Sequence, residues 1–220
     1  MAQRKIAVLG TGNVGQTLSR RLAGLGYDVM VGARSRDSES LAPFAAIEGV
    51  HTGSFADAAA FGDLVINATN GQRSLDALDL AGADNLAGKP LLDVSNDLEP
   101  VEGGFPKPVA TSDNSLGQRI QSAFPDAHVV KSLNTMTNSV MVEPASVPGD
   151  HVVFLSGDRA EAKEAIVALL SDFGWRPEQV FDLGGIDTAP AVEMVMALWL
   201  RVLAARGMNP RFNWAIHSGA

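Results

Sequence analysis

The chain has 220 residues, 46% hydrophobic and 19% charged, with a formal net charge of -8 and no cysteine. This length suits one domain with a modest appendage, and the acidic balance argues against nucleic acid or an anionic membrane surface as partner. Disulfides, thiolate nucleophiles and cysteine-ligated metal are excluded, and the four histidines (His51, His128, His151 and His217) are too scattered to suggest a metal site, so none is expected.

The first predicted strand starts by about residue 4, which leaves no room for a signal peptide, and the protein is expected in the cytoplasm. Its apolar run, Ile6, Ala7, Val8 and Leu9, ends at Gly10; with Gly12 and Gly15 this makes a G-x-G-x-x-G pattern. Val14, Leu18, Leu22 and Leu25 then recur at helical spacing, and Gly26 stands where a helix would stop. A second apolar run, Val29 to Val31, leads into Gly32 and Ala33. Strand, glycine turn, helix and strand in about thirty residues form the unit that binds dinucleotides. Gly10 permits the tight turn, Gly12 removes the Cβ that would block a pyrophosphate, and Gly15 lets the helix pack on the strand. The helix N-terminus offers free N–H groups to the phosphates. An NAD site would place a carboxylate at the end of the second strand. Here stand Arg34, Ser35 and Arg36, whose guanidinium groups suit a 2′-phosphate, so NADP(H) is the expected cofactor.

A short helix is predicted over 41–47, an edge strand over 49–52, and a helix over 55–61 capped by Ser54. Residues 63–69 read as a buried parallel strand, whose end should place Thr69 and Asn70 at the cofactor cleft; an ordinary Asn-Gly turn is the equal alternative. A helix interrupted at Gly82 follows over 75–86, then a strand over 91–96, a Pro- and Gly-rich loop over 99–108 and a helix over 116–124. The strand 128–135 ends in polar residues, and Met136, Thr137 and Asn138 open a further loop. Lys131 in that strand is expected as an exposed edge residue, and Asp93 and Asp97 as helix caps or loop ligands. A strand over 152–155, an amphipathic helix ending at Gly174 and a short strand over 180–183 complete the sheet. The last helix, 189–206, is apolar around most of its circumference, which predicts burial on several sides, and a homodimer is favoured over a plain core helix. Its apolar part, 189–205, reads as too short and too charged to span a bilayer. Met136, Met141, Met194 and Met196 read as core more readily than as walls of a ring pocket, and Trp199 and Trp214 as packing residues.

These landmarks resemble the NADPH-dependent reductases of the deazaflavin coenzyme F-420 and their wider group of short bacterial NADP oxidoreductase-like proteins. The resemblance runs through nearly the whole chain. It rests on GTGNVG, VGARSR, DLVINAT, LAGKPLLDVSN, VVKSLNTM, VFLSGD and an E-x-x-x-x-LW pattern, Glu193 to Trp199, followed by RFNWAI. It implies an α/β, Rossmann-type, mostly parallel sheet with helices on both faces and a small C-terminal helical extension. Residues 1–188 would form the NADP-binding domain, and 189–220 a helix and tail that covers the cleft or forms a dimer. It also implies that the Thr11, Asn13 and Val14 amides hold the pyrophosphate, that Arg34, Ser35 and Arg36 hold the 2′-phosphate, and that Asn134, Thr135 and Met136 position the nicotinamide and a second ring. The family tends to have histidine where this chain has Asn134, and Pro-Trp-like residues where it has Asn70, Gly71 and Gln72. Both departures fall on the acceptor side. The implied reaction is direct hydride transfer to a deazaflavin, a flavin or a similar small organic acceptor. A non-enzymatic NADPH sensor and a short imine or β-hydroxy acid reductase stand behind it.

Overall fold

The computed structural model describes residues 4–219. Ten strands are seen among them: β1 (Lys5–Leu9), β2 (Asp28–Ala33), β3 (Val50–Ser54), β4 (Leu64–Asn67), β5 (Pro90–Asp93), β6 (Leu98–Glu99), β7 (Lys107–Pro108), β8 (His128–Ser132), β9 (Val153–Gly157) and β10 (Val180–Asp182). Eight form one sheet in the order β10-β9-β8-β5-β4-β1-β2-β3. All neighbours are parallel except β8 and β9, whose antiparallel pairing turns the last two strands back. The continuous apolar runs of β1 and β4 are buried on both faces, as parallel strands covered by helices must be. The strand order reverses between β1 and β4, so their carboxyl ends flank a crevice.

One face is covered by α1 (Asn13–Gly24) and, further along the chain, α7 (Ala160–Phe173), whose Leu18, Leu22, Ile166, Leu170 and Phe173 bury against the sheet. The other carries α2 (Phe55–Phe61), α3 (Ser74–Ala81), α4 (Ala83–Leu86) and α5 (Leu116–Ala123). Local chemistry explains several ends. Ser54 caps α2 through a reciprocal box with Asp57, Gly82 at φ +88 separates α3 from α4, and Gly174 at φ +103 closes α7 in the left-handed region.

Several expectations change. The 41–47 helix is a 3-10 segment at Glu39–Phe44, flanked by i→i−3 bonds such as Leu41 N–H to the Ser38 carbonyl at 3.0 Å and Ala45 N–H to the Ala42 carbonyl at 3.3 Å. The loop over 99–108 is entered and left by β6 and β7, which pair as a two-stranded ribbon. Beyond Met136 lies a short helix, α6 (Asn138–Val142). The final helix is two, α8 (Ala189–Met194) and α9 (Met196–Ala205), broken at Val195. Residues 186–205 are long and apolar enough to cross a membrane by length and composition alone, contrary to the sequence expectation, and 39% of the most apolar window is buried within the chain. In the fold, Met196, Trp199, Leu200, Leu203 and Phe212 form a satellite core under Leu98 and Phe105 of the β6–β7 region. Trp199 stacks on Phe212 at 5.3 Å between ring centroids, so the tail folds back over the last helix.

Candidate cofactor and acceptor cleft

The glycine turn shows three different steric demands. Gly10 sits at φ +119, and a Cβ there would meet the Ala68 carbonyl oxygen at 2.5 Å. A Cβ on Gly15 would lie 2.1 Å from the Gly10 carbonyl oxygen, so the first turn of α1 packs directly on the end of β1. Around Gly12 a Cβ would meet nothing within 4 Å; this position faces open space. Gly12 is the N-cap of α1 and provides no side-chain cap, which leaves the leading N–H groups of the helix, including those of Asn13 and Val14, for an anion. Thr11 is half-buried and Asn13 exposed at the same mouth.

Arg34, Ser35 and Arg36 are all exposed just past β2. Among the described residues the Arg34 side chain engages no hydrogen bond or ion pair. The Ser35 hydroxyl accepts the Asp37 N–H at 3.3 Å. Arg36 instead forks onto Asp57: Nε donates to Oδ2 at 2.5 Å and Nη2 donates to Oδ1. The Arg36 fork and the Ser54 donors hold the Asp57 carboxyl far below its ordinary range. An open glycine turn, unpaired helix amides and an uncommitted guanidinium at the end of β2 together fit a dinucleotide carrying a 2′-phosphate.

Beyond the glycine turn lies a cavity of about 300 Å³ at the carboxyl ends of β4, β5 and β8. Val14, Met136, Met141 and Met196 supply apolar wall, and Thr69, Ser95, Asn96 and Asn134 supply polar wall. Met136, Met141 and Met196 thus wall the cavity from buried positions, whereas Met194 is 39% exposed. Asn70 lies outside the cavity wall and caps a turn by accepting the Gln72 N–H at 2.9 Å. Thr135 is buried outside it as well, its carbonyl accepting the Trp214 indole N–H at 3.2 Å. Asn134 is buried and cross-braced: its Nδ2 donates to Asn96 Oδ1 and to the Val192 carbonyl, both at 3.0 Å, and its own carbonyl accepts from Asn96 Nδ2 at 2.8 Å. Leu133, at φ +63, makes the turn that delivers it. A buried leucine in the left-handed region is strained and persists only because its surroundings fix it.

Under the cavity runs a polar network that the sequence reading missed. Lys131 is fully buried, correcting the expectation of an exposed edge residue, because β8 lies between β5 and β9. Its Nζ lies 2.8 Å from Asp93 Oδ2 and 3.1 Å from Glu193 Oε1. Burial pushes the Asp93 carboxyl above its ordinary pKa. Burial alone would lower Lys131, but the Asp93 and Glu193 carboxylates carry it upward. Glu193 also accepts the N–H groups of Leu116 and Gly117 at the start of α5, at 2.8 and 2.9 Å. Asp93 Oδ1 takes Asn67 Nδ2 at 2.9 Å, and Asn67 Oδ1 takes the Thr69 hydroxyl at 2.7 Å, which brings the network to the cavity wall. Asp97 pairs with Arg119. Asn138, also unforeseen, donates to Thr17 Oγ1 at 2.8 Å and to the Asn13 carbonyl at 3.2 Å, clamping α6 onto the first turn of α1. No grouping of side chains able to hold a metal ion occurs among the described residues.

Residues 5–97 match the family model described as NADP oxidoreductase, coenzyme F420-dependent. A crystal structure from Arthrobacter sp. FB24, assigned as an F420-dependent NADP reductase, is 43% identical and superposes with a TM-score of 0.90, over 97% of this chain and 99% of that one. Metalloreductase STEAP3 of Rattus norvegicus is 29% identical over 191 residues; the chain spans 36% of that protein's length. An imine reductase from Aspergillus terreus, solved in complex with NADPH4, shares the fold at 17% identity and a TM-score of 0.66, over 94% of this chain and 64% of that one.

Proposed function

The chain belongs to the coenzyme F420-dependent NADP oxidoreductase family, and from that premise we propose that it passes a hydride between NADP(H) and a planar organic acceptor, a deazaflavin or a flavin. It is an NADP-dependent oxidoreductase; the acceptor is the part proposed here. The observation that carries the reading is the cavity beside the glycine turn. Its volume of about 300 Å³ and its mixed walls, methionine on one side and Ser95, Asn96 and Asn134 on the other, suit a ring system with polar edges.

When bound, NADPH supplies the hydride, and the protein's task is to position and enclose. The amides of Thr11, Asn13 and Val14 would hold the pyrophosphate, with Arg34, Ser35 and Arg36 at the 2′-phosphate. Val14, Met136, Met141 and Met196 exclude water from the reacting rings, since transfer between two planar rings depends on close approach. Asn134 is braced against Asn96 and the Val192 carbonyl, so it acts as a fixed wall that sets the width of the acceptor side. Where relatives tend to have histidine, this neutral amide presents no titrating ring to the acceptor.

The homodimer is part of the same proposal. The exposed residues of α8 and α9 are Ala191, Met194, Ala197, Leu198, Arg201, Ala204 and Ala205, one charge among seven. An outer helical face so poor in charge is suited to a second copy of the chain.

The test of the acceptor is NADPH oxidation, followed at the nicotinamide absorbance, against the deazaflavin, free flavins and quinones. Turnover with a deazaflavin or a flavin is expected. Tight NADPH binding with no turnover of any of the three would overturn the reading.

A further inference from the structure

Arg36 and Asp57 come from separate parts of the sequence and are brought together by a specific backbone arrangement. Gly32 of β2 and Gly53 of β3 are direct register partners. A Cβ on Gly32 would lie 3.1 Å from Phe55 Cα and 3.0 Å from Ala58 Cβ; one on Gly53 would lie 2.9 Å from Asp57 Cβ. The two glycines therefore let the first turn of α2 settle onto the strand ends, with Asp57 beside the residues that follow β2. Asp57 is itself anchored, accepting the Ser54 N–H at 2.9 Å and the Ser54 hydroxyl at 2.6 Å.

We propose that Asp57 is a positioning residue for the cofactor's 2′-phosphate: it holds Arg36 by one edge of its guanidinium and leaves the other edge to the phosphate. This rests on the NADP(H) reading of the cleft. The fork uses Nε and one hydrogen of Nη2; a guanidinium has five N–H donors, so three remain. The Arg36 side chain is 72% exposed and, without Asp57, would be ordered only when the cofactor binds. Ordering one long side chain weakens binding by up to about tenfold. The opposing effect is repulsion between the Asp57 carboxylate and the phosphate. At an exposed site in physiological salt it is worth no more than about threefold, because water and counterions screen it. Pre-ordering wins, and the sign of the Asp57 effect follows.

The test is a cofactor-fluorescence titration at 0.15 M salt of wild type, Asp57→Asn, Arg36→Ala, the double variant and Ser54→Ala. Wild-type preference for NADPH over NADH checks the cofactor reading by itself. Given that preference, Asp57→Asn should weaken NADPH about threefold and leave NADH within twofold; in the Arg36→Ala background, where only the repulsion remains, it should instead tighten NADPH by up to about threefold. Ser54→Ala loses the hydroxyl cap but keeps the fork, and should retain wild-type NADPH affinity with a lower melting temperature. Unchanged or tighter NADPH binding by Asp57→Asn would overturn the proposal. So would an equal loss in Ser54→Ala, which would trace the effect to the helix cap.

Discussion

Arg34 and Lys131 are two cations of this protein in opposite circumstances. Arg34 is exposed and without a side-chain partner among the described residues, so its charge is available to a ligand. Arg34→Ala should cost NADPH binding roughly 1.5–3 kcal/mol, the worth of a charge-assisted hydrogen bond, and barely change NADH; parallel fluorescence titrations measure both, and equal losses for the two cofactors would refute the assignment. Lys131 is buried between Asp93 and Glu193. Lys131→Met strands both carboxylates without a cation and should destabilise by about 3–5 kcal/mol in urea unfolding. The folded-state pKa of Lys131 lies above its ordinary value of 10.5, so its stabilising contribution is complete below that pH and lost as the pH rises through the folded value. The two cations also divide what was legible. Arg34 announces itself by standing at the end of the second strand of a unit that opens with the glycine turn. Lys131 looks like any strand lysine, and its partners lie 38 residues before it and 62 after it, a separation that no local pattern encodes.

Most elements could be read because each carries its own signals. The unit from β1 to β2 combines apolar period, glycine turn and helix stop in one stretch, and α2 carries a capping box that the structure completes. The elements that escaped are short or made by tertiary contact. β6 and β7 have two residues each, and α6 is held by Asn138 reaching back to α1. The break at Val195 has no proline or glycine to mark it; it separates α8, bound to α5 through Glu193, from α9, which packs on Phe212 and the β6–β7 region. Between them these helices expose the low-charge face proposed for the dimer. Leu198, 52% exposed, can be changed without opening the core. Leu198→Glu is expected to halve the molar mass in light scattering after size exclusion, with melting temperature nearly unchanged. A wild type that elutes as a monomer at all concentrations would refute the dimer.

At the scale of the molecule, one sheet serves two sides of a reaction with unequal clarity in the sequence. The proposed cofactor side rests on backbone geometry, Gly10, Gly12 and Gly15, and on charge at 34–36, both of which are visible in the sequence. The proposed acceptor side is a cavity assembled from the segments that follow β4, β5 and β8 together with α1, α6 and α9, each giving one to three residues. Asn134 and Met136 line that cavity, but the sequence could not show that Asn134 is locked by Asn96 and Val192, or that the Thr135 carbonyl accepts from Trp214. Closure by methionines follows from the fold bringing Met196 of the C-terminal helices over the strand ends.

The most direct measurement is single-turnover transfer from NADPH carrying deuterium at the reactive face of nicotinamide C4, with the deazaflavin or a flavin as acceptor. For the deazaflavin, direct transfer between two rings held together in the cavity predicts one deuterium atom recovered on the reduced ring carbon by mass spectrometry. For a flavin, whose transferred hydrogen exchanges on reduction, it predicts a primary isotope effect on the transfer step. Reduced deazaflavin without deuterium, together with a flavin reaction insensitive to the label, would contradict direct hydride transfer.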